Sequence, residues 1–175
     1  MPAVSTWYVV GRRHNGYHSA HGDARILPMI LGADHVALSV ADMERSIRFY
    51  TGLFGFEVRR RLPADPGLPL DKVIGVPGAA ADIAHLYLGE FMLELFQYRV
   101  PQARAEAAQR SQADHGYIHF GLRVKDIHGE TARLRAAGVS FLGAPVEFRP
   151  GAWVVYFRGP EGEVVELREV ADSRR

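Results

Sequence analysis

Alternation is the first regularity along the chain. From residue 35 to 40, His35, Ala37 and Ser39 take turns with Val36, Leu38 and Val40, the period of a β-strand with two unlike faces. The period then lengthens to that of a helix, with Met43, Ile47, Tyr50 and Phe54 on one apolar stripe. Asp42 stands where an N-cap would accept a backbone N–H, and Gly55 where a helix would stop. Strand-like runs follow at residues 56–61, 83–88 and 91–98. The same order then recurs. His119, Gly121 and Arg123 share a strand face, Asp126 is placed to cap a helix, Ile127, Leu134 and Ala137 form its stripe, and Gly138 ends it. Further strands are expected at residues 139–142, 153–158 and 164–169, so each half reads β-α-β-β-β.

The two halves are alike in residues as well as in period. His35-Val36-Ala37-Leu38-Ser39-Val40-Ala41-Asp42-Met43 aligns without a gap on His119-Phe120-Gly121-Leu122-Arg123-Val124-Lys125-Asp126-Ile127, giving H-x-x-L-x-V-x-D followed by Met or Ile. Each half later places a Glu between apolar neighbours: Glu94 between Leu93 and Leu95, Glu166 between Val165 and Leu167. A carboxylate flanked in this way on a strand points away from the face its neighbours bury. From His to Glu is 59 residues in the first half and 47 in the second, and the excess is assigned to residues 63–81, rich in Pro, Gly and Ala, as an inserted loop. The organisation expected is an N-terminal extension over 1–30, a first module over 31–100, a connector over 101–116 with a helical stretch at 103–110, a second module over 117–170 and a tail over 171–175. The extension is expected to pack on the core or on a partner subunit, and its His14, His18 and His21 are read as residues of a solvated loop.

Composition narrows what the repeat can be for. With 175 residues, the chain is long enough for two small modules sharing one core and too short for a separate cofactor domain. A formal net charge of +1 leaves no electrostatic footprint for nucleic acid, so a small neutral or modestly anionic molecule is the expected partner. The absence of Cys excludes disulfides, thiolate metal sites and Cys nucleophiles, so that any metal must take nitrogen and oxygen ligands. No apolar run reaches the ~18 residues of a membrane span. Residues 7–10 are too short for the core of a signal peptide and lead at once into Gly11-Arg12-Arg13, so the expected location is cytoplasmic.

Two imidazoles and two carboxylates at equivalent places make His35, Glu94, His119 and Glu166 candidate metal ligands. The set suits a divalent cation such as nickel, iron, zinc, cobalt or manganese rather than copper(I). A lone strand His or Glu is as readily a solvated or hydrogen-bonded rim residue, and it is the repetition that favours the metal. Periodicity does not itself bring the four together; they converge on one concavity if the halves pack as pseudo-symmetric copies. Phe96 and Tyr98 share the face of Glu94 and are expected either to form an apolar wall for a substrate or simply to pack the cavity. Arg123, on the His119 face, is placed to bind a substrate carboxylate or phosphate, or to stand in solvent at the rim. The consecutive Arg59, Arg60 and Arg61 must point to both faces of a strand and are read as a solvated edge.

From residue 31 to 170 these markers resemble the vicinal oxygen chelate superfamily, which includes glyoxalases, methylmalonyl-CoA epimerases, extradiol dioxygenases and bleomycin-type resistance proteins. The resemblance rests on Asp34-His35-Val36-Ala37-Leu38-Ser39-Val40, Ser46-Ile47-Arg48-Phe49-Tyr50, Gly55-Phe56-Glu57, Leu93-Glu94-Leu95-Phe96, the His119 to Asp126 segment, and Gly159-Pro160-Glu161-Gly162-Glu163-Val164-Val165-Glu166-Leu167. It implies an α+β fold of paired βαβββ modules forming an open, partly rolled mixed sheet around a metal cavity. It further implies metal ligation by His35, Glu94, His119 and Glu166, a set similar to that of bacterial glyoxalases. The implied chemistry is chelation of two neighbouring substrate oxygens and proton transfer through an enediolate-like intermediate, with Glu166 doubling as base and Glu94 as its opposite number. Ser39 and Tyr98 stand where glyoxalases carry a glutathione-contacting Arg and an Asn, which argues against glutathione as cosubstrate. The expected protein is thus a metal-dependent lyase or isomerase and a homodimer, since many relatives pair modules between subunits and an open sheet leaves edges to cover. The alternatives are an iron(II) dioxygenase using His35, His119 and Glu166, and a small-molecule binding or resistance protein without catalysis.

Overall fold

Asp42 and Gly55 do in space what their positions in the sequence suggest. In the computed structural model, which describes residues 31–65, 67–102 and 111–171, strand β1 (His35–Ser39) runs into helix α1 (Met43–Phe54). The Asp42 carboxylate accepts the Arg45 N–H at 3.0 Å, and Gly55 closes the helix at φ 72°, a left-handed conformation that suits glycine. The chain continues through β2 (Glu57–Leu62), a short α2 (Leu70–Ile74), β3 (Ala80–Leu88) and β4 (Phe91–Val100). The second half follows with β5 (Phe120–Arg123), α3 (Ile127–Ala136), β6 (Val146–Arg149), β7 (Ala152–Arg158) and β8 (Val164–Val170). Two four-stranded sheets result, ordered β1-β4-β3-β2 and β5-β8-β7-β6, the same order in each half. Each is mixed: β1 on β4 and β5 on β8 are parallel, and every other pairing is antiparallel. Neither sheet closes into a barrel, and the α+β pattern of paired βαβββ modules is the one observed.

Alternation decides which face of each sheet is dry. Leu86, Leu93 and Leu95 of the first sheet and Val155, Phe157, Val165 and Leu167 of the second are buried in a single core, together with Ile47 and Tyr50 of α1 and Ile127 and Leu134 of α3. The halves therefore stabilise one another. Phe54 stacks on Phe157 with centroids 5.1 Å apart, and Phe91 lies against Phe120 at 5.9 Å. Each fully buried leucine or phenylalanine contributes about 1.5–3 kcal/mol relative to an exposed one, and this core crosses the boundary between modules. Polar ties cross it too. Arg45 donates to the Pro160 carbonyl at 2.9 Å and pairs with Glu161 at 2.7 Å, and Arg133 donates to the Leu53 carbonyl at 2.6 Å. The fully buried Tyr50 gives its hydroxyl proton to the Glu163 carboxylate. Burial pushes the Glu163 pKa up, and the Tyr50 hydrogen bond opposes that rise.

The structure departs from the expected elements in three places. Residues 139–142 form no strand: Val139 drops into the core, and Phe141 makes one isolated bridge to Phe157. The sheet edge is instead β6, all four of whose residues are exposed, so that no apolar alternation marked it in the sequence. Ala137 is the exposed C-cap of α3, and the buried stripe is Ile127, Thr131 and Leu134. The inserted loop carries α2. The solvated-edge reading of 59–61 meets specific contacts: Arg61 pairs with Glu44 at 2.5 Å, and the Arg59 guanidinium lies 4.4 Å over the Tyr87 ring. The expected connector helix at 103–110 and the extension over 1–30 lie outside the described residues, among which no helix is long and apolar enough to cross a membrane.

Candidate functional site

The faces turned away from the core carry the chemistry. On the first sheet Ala37 lies directly beside Glu94 in the parallel β1–β4 register, and His35, two residues earlier on the same face, reaches across. Its Nε2 is 3.3 Å from Glu94 Oε2. The other ring nitrogen, Nδ1, is 2.8 Å from the Asp34 carboxylate. With Nδ1 turned to an acceptor, Nε2 is the ring nitrogen that could be offered to a cation. A residue that the sequence pattern did not single out also meets Glu94: His85 of β3 is its register partner, with Nε2 3.0 Å from Oε1. Farther along the same face Phe96 and Tyr98 stack at 5.8 Å, and Ser39 is the register neighbour of Phe96.

The second sheet repeats this plan with different neighbours. Gly121 takes the place of Ala37 beside Glu166, and His119, just before β5, puts Nε2 3.2 Å from Glu166 Oε2. Its Nδ1 is 3.1 Å from the side-chain oxygen of Gln112. Opposite Glu166 on β7, where the first sheet has His85, stands Tyr156, which donates its hydroxyl proton to Glu166 Oε2 at 3.0 Å. Burial raises the Tyr156 pKa, and the hydrogen bond and charge of Glu166 add to the rise, so the phenol is held as a donor. Arg123 and Arg168 are register partners on this face, both exposed. A cavity of about 530 Å³ opens beside Glu166, walled by Leu142, Val146, Phe148, Val154 and Tyr156, with Arg168 at its side. This size and mostly apolar lining suit a small organic molecule. None of the cavity's apolar residues was singled out in the sequence; Phe96 and Tyr98, expected either to wall a substrate or to pack a cavity, lie on the first sheet.

Each His–Glu pair is an imidazole–carboxylate contact whose separation is also compatible with two neighbouring ligands of one ion. Metal bonds of about 2.0–2.1 Å at right angles place two ligand atoms roughly 3 Å apart, close to the 3.3 and 3.2 Å observed. The oxygen and imidazole donors suit a divalent first-row cation, and the acceptors on both Nδ1 atoms orient the rings for it. The four residues are not gathered within one chain, however. The two pairs lie on different sheets, each on the face opposite the shared core. Among the described residues no group of three or more His, Cys, Asp or Glu side chains is arranged to hold an ion.

Comparison with known proteins agrees with this architecture. Residues 32–167 match the model of the Glyoxalase/Bleomycin resistance protein/Dioxygenase superfamily. A 2-epi-5-epi-valiolone epimerase from Actinomyces sp is 34% identical over 152 residues, covering 82% of this chain and 81% of the relative. A probable chloroplastic lactoylglutathione lyase from Arabidopsis thaliana is 28% identical over 77% of this chain, the match spanning 35% of that longer protein. Among solved structures, a glyoxalase family protein from Bacillus cereus superposes with a TM-score of 0.75 at 24% identity, over 85% of this chain and 100% of that one.

Proposed function

This chain belongs to the Glyoxalase/Bleomycin resistance protein/Dioxygenase superfamily, and from that premise we propose that it is a divalent-metal-dependent isomerase of the epimerase type. It would act on a small molecule bearing a carbonyl and a neighbouring oxygen. The observation that carries this reading is the pair of His–Glu couples at neighbouring-ligand distance, each with its imidazole Nδ1 already engaged by an acceptor. His35 and Glu94 would hold the cation from one side and His119 and Glu166 from the other. Since each couple lies opposite the chain's own core, the complete set requires two copies of the chain, with the first sheet of one facing the second sheet of its partner. The exposed β-edges and the exposed Val146 and Phe148 beside the cavity favour such a homodimer.

A cation so held would supply Lewis-acid polarisation of a carbonyl and so acidify the neighbouring C–H. The proton itself is work for the carboxylates. Glu166 Oε1 makes no side-chain hydrogen bond among the described residues, since both His119 and Tyr156 meet Oε2, and it is the atom assigned to take the proton. Glu94, supplied by the partner copy, would lie on the opposite side of the cation, so that a proton taken from one face of a carbon can be replaced from the other face. Transfer between two faces is epimerisation, and the relative that names an epimerase supports this over a lyase reaction. The cavity beside Glu166 would take the substrate's carbon body, with Arg123 and Arg168 at the polar end. Ser39 and Tyr98, in place of glutathione-binding Arg and Asn, fit a substrate that carries no glutathione.

Metal analysis of the purified protein and of the Glu94→Ala, Glu166→Ala double variant tests the site. The wild type should bind a divalent cation and the variant should not, and undiminished occupancy in the variant would end the proposal. Turnover under strict anaerobiosis separates this chemistry from the dioxygenase alternative.

A further inference from the structure

His85 and Tyr156 occupy equivalent places, each the antiparallel register partner of one glutamate. They hold their carboxylates differently. His85 meets Glu94 at Oε1 while His35 meets the same carboxylate at Oε2, so both oxygens are engaged and the group cannot turn. Tyr156 and His119 both meet Glu166 at Oε2, which leaves Oε1 free among the described residues. His85 is itself well covered, with 17% of its side chain exposed, and Glu94 has 15%. A contact this sheltered keeps its geometry against competition from water.

We infer that His85 is a positioning residue: by binding Oε1 it turns Glu94 so that Oε2, the oxygen beside His35 Nε2, is the one presented to a cation. This rests on the metal-site reading above. The requirement is for a hydrogen-bond donor at the place of Nε2, not for an imidazole. Partners that orient a metal ligand in this way are worth 10–100-fold in affinity for the ion, and the same range is expected here. The two glutamates are then unequal by construction. Glu94 is an anchored ligand, and Glu166 keeps one oxygen unheld.

The test is cation affinity measured by chelator competition on the full-length protein, with no substrate present. His85→Leu should weaken binding about 10–100-fold, and His85→Gln, whose amide nitrogen falls near the imidazole Nε2, should recover most of the loss. Circular dichroism of both variants establishes that they remain folded. X-ray absorption at the metal edge should count the same number of imidazole ligands in wild type and in His85→Gln. Undiminished affinity in His85→Leu would overturn the inference, and so would the loss of one imidazole ligand in His85→Gln, which would make His85 a ligand. His35→Ala and Glu94→Ala are the controls that keep the two claims apart. If they too bind the ion as the wild type does, the metal-site reading falls; if they lose it while His85→Leu does not, only the positioning role falls.

Discussion

Replacing Tyr50 by Phe removes one hydroxyl from the seam between the halves and leaves the ring in place. Tyr50 is fully buried and its hydroxyl donates a hydrogen bond to Glu163, which also accepts the Glu161 N–H at 2.9 Å. Hydrogen bonds to a charged partner contribute about 1.5–3 kcal/mol, and no cavity forms because the aromatic packing is kept. Glu163 retains a second donor and can take up a proton, which sets the expected loss near 2 kcal/mol, or about 4–8 °C in Tm for a chain of this size. The loss must also depend on pH. Glu163 has a folded-state pKa raised by burial, so its contribution to stability is fully present below its unfolded pKa and is lost as pH rises through the raised value. The Tyr50 hydrogen bond limits that rise, so removing it widens the window and makes the penalty larger at pH 8 than at pH 5. Urea unfolding of wild type and Tyr50→Phe at the two pH values measures this, and Glu163→Gln completes a double-mutant cycle. A loss under about 0.5 kcal/mol at pH 8, or an equal loss at both pH values, would refute the reasoning, since a hydrogen bond of that kind lies in the range 1.5–3 kcal/mol.

Other outcomes follow from the same structure. Leu93→Ala empties a wholly buried place in the core shared by both sheets and should cost about 2–5 kcal/mol in urea unfolding. Asp42→Ala removes the α1 cap and should cost about 0.5–2 kcal/mol, with Asp42→Asn much closer to wild type. Tyr156→Phe takes the one phenolic donor from Glu166 and should leave cation affinity closer to wild type than His85→Leu does, as read by chelator competition; equal losses would contradict the unequal roles of the two glutamates.

The first β-strand, both capped helices and the closing strands were legible because they place apolar and polar residues on opposite faces at a strict period, and because Asp42, Gly55 and Asp126 punctuate them. β6 was not, since Val146 to Arg149 are exposed on both sides and no face selects apolar residues there. The two His–Glu contacts of the candidate site were legible in the part that repeats. His35 and His119 drew notice because they recur, and the same criterion passed over His85, whose counterpart in the second half is a tyrosine. The pairing of β3 with β4 and of β7 with β8 is what puts His85 and Tyr156 opposite the glutamates. The relation between halves was beyond reach for another reason. Alternation states which residues leave the core, but whether two such faces meet depends on how α1 packs across the seam, through Phe54, Tyr50 and Arg45, and no local pattern encodes that.

The central claim, a cation site shared between two copies of the chain, is tested most directly by complementation. One variant carries His35→Ala and Glu94→Ala, the other His119→Ala and Glu166→Ala, and the two are refolded together with different tags so that the heterodimer can be isolated. Neither variant alone should bind a divalent cation tightly. In the heterodimer the intact first sheet of one chain meets the intact second sheet of the other, and a single tightly bound ion per heterodimer is the predicted result. A heterodimer that binds none, while the wild type binds its full complement, would contradict the account.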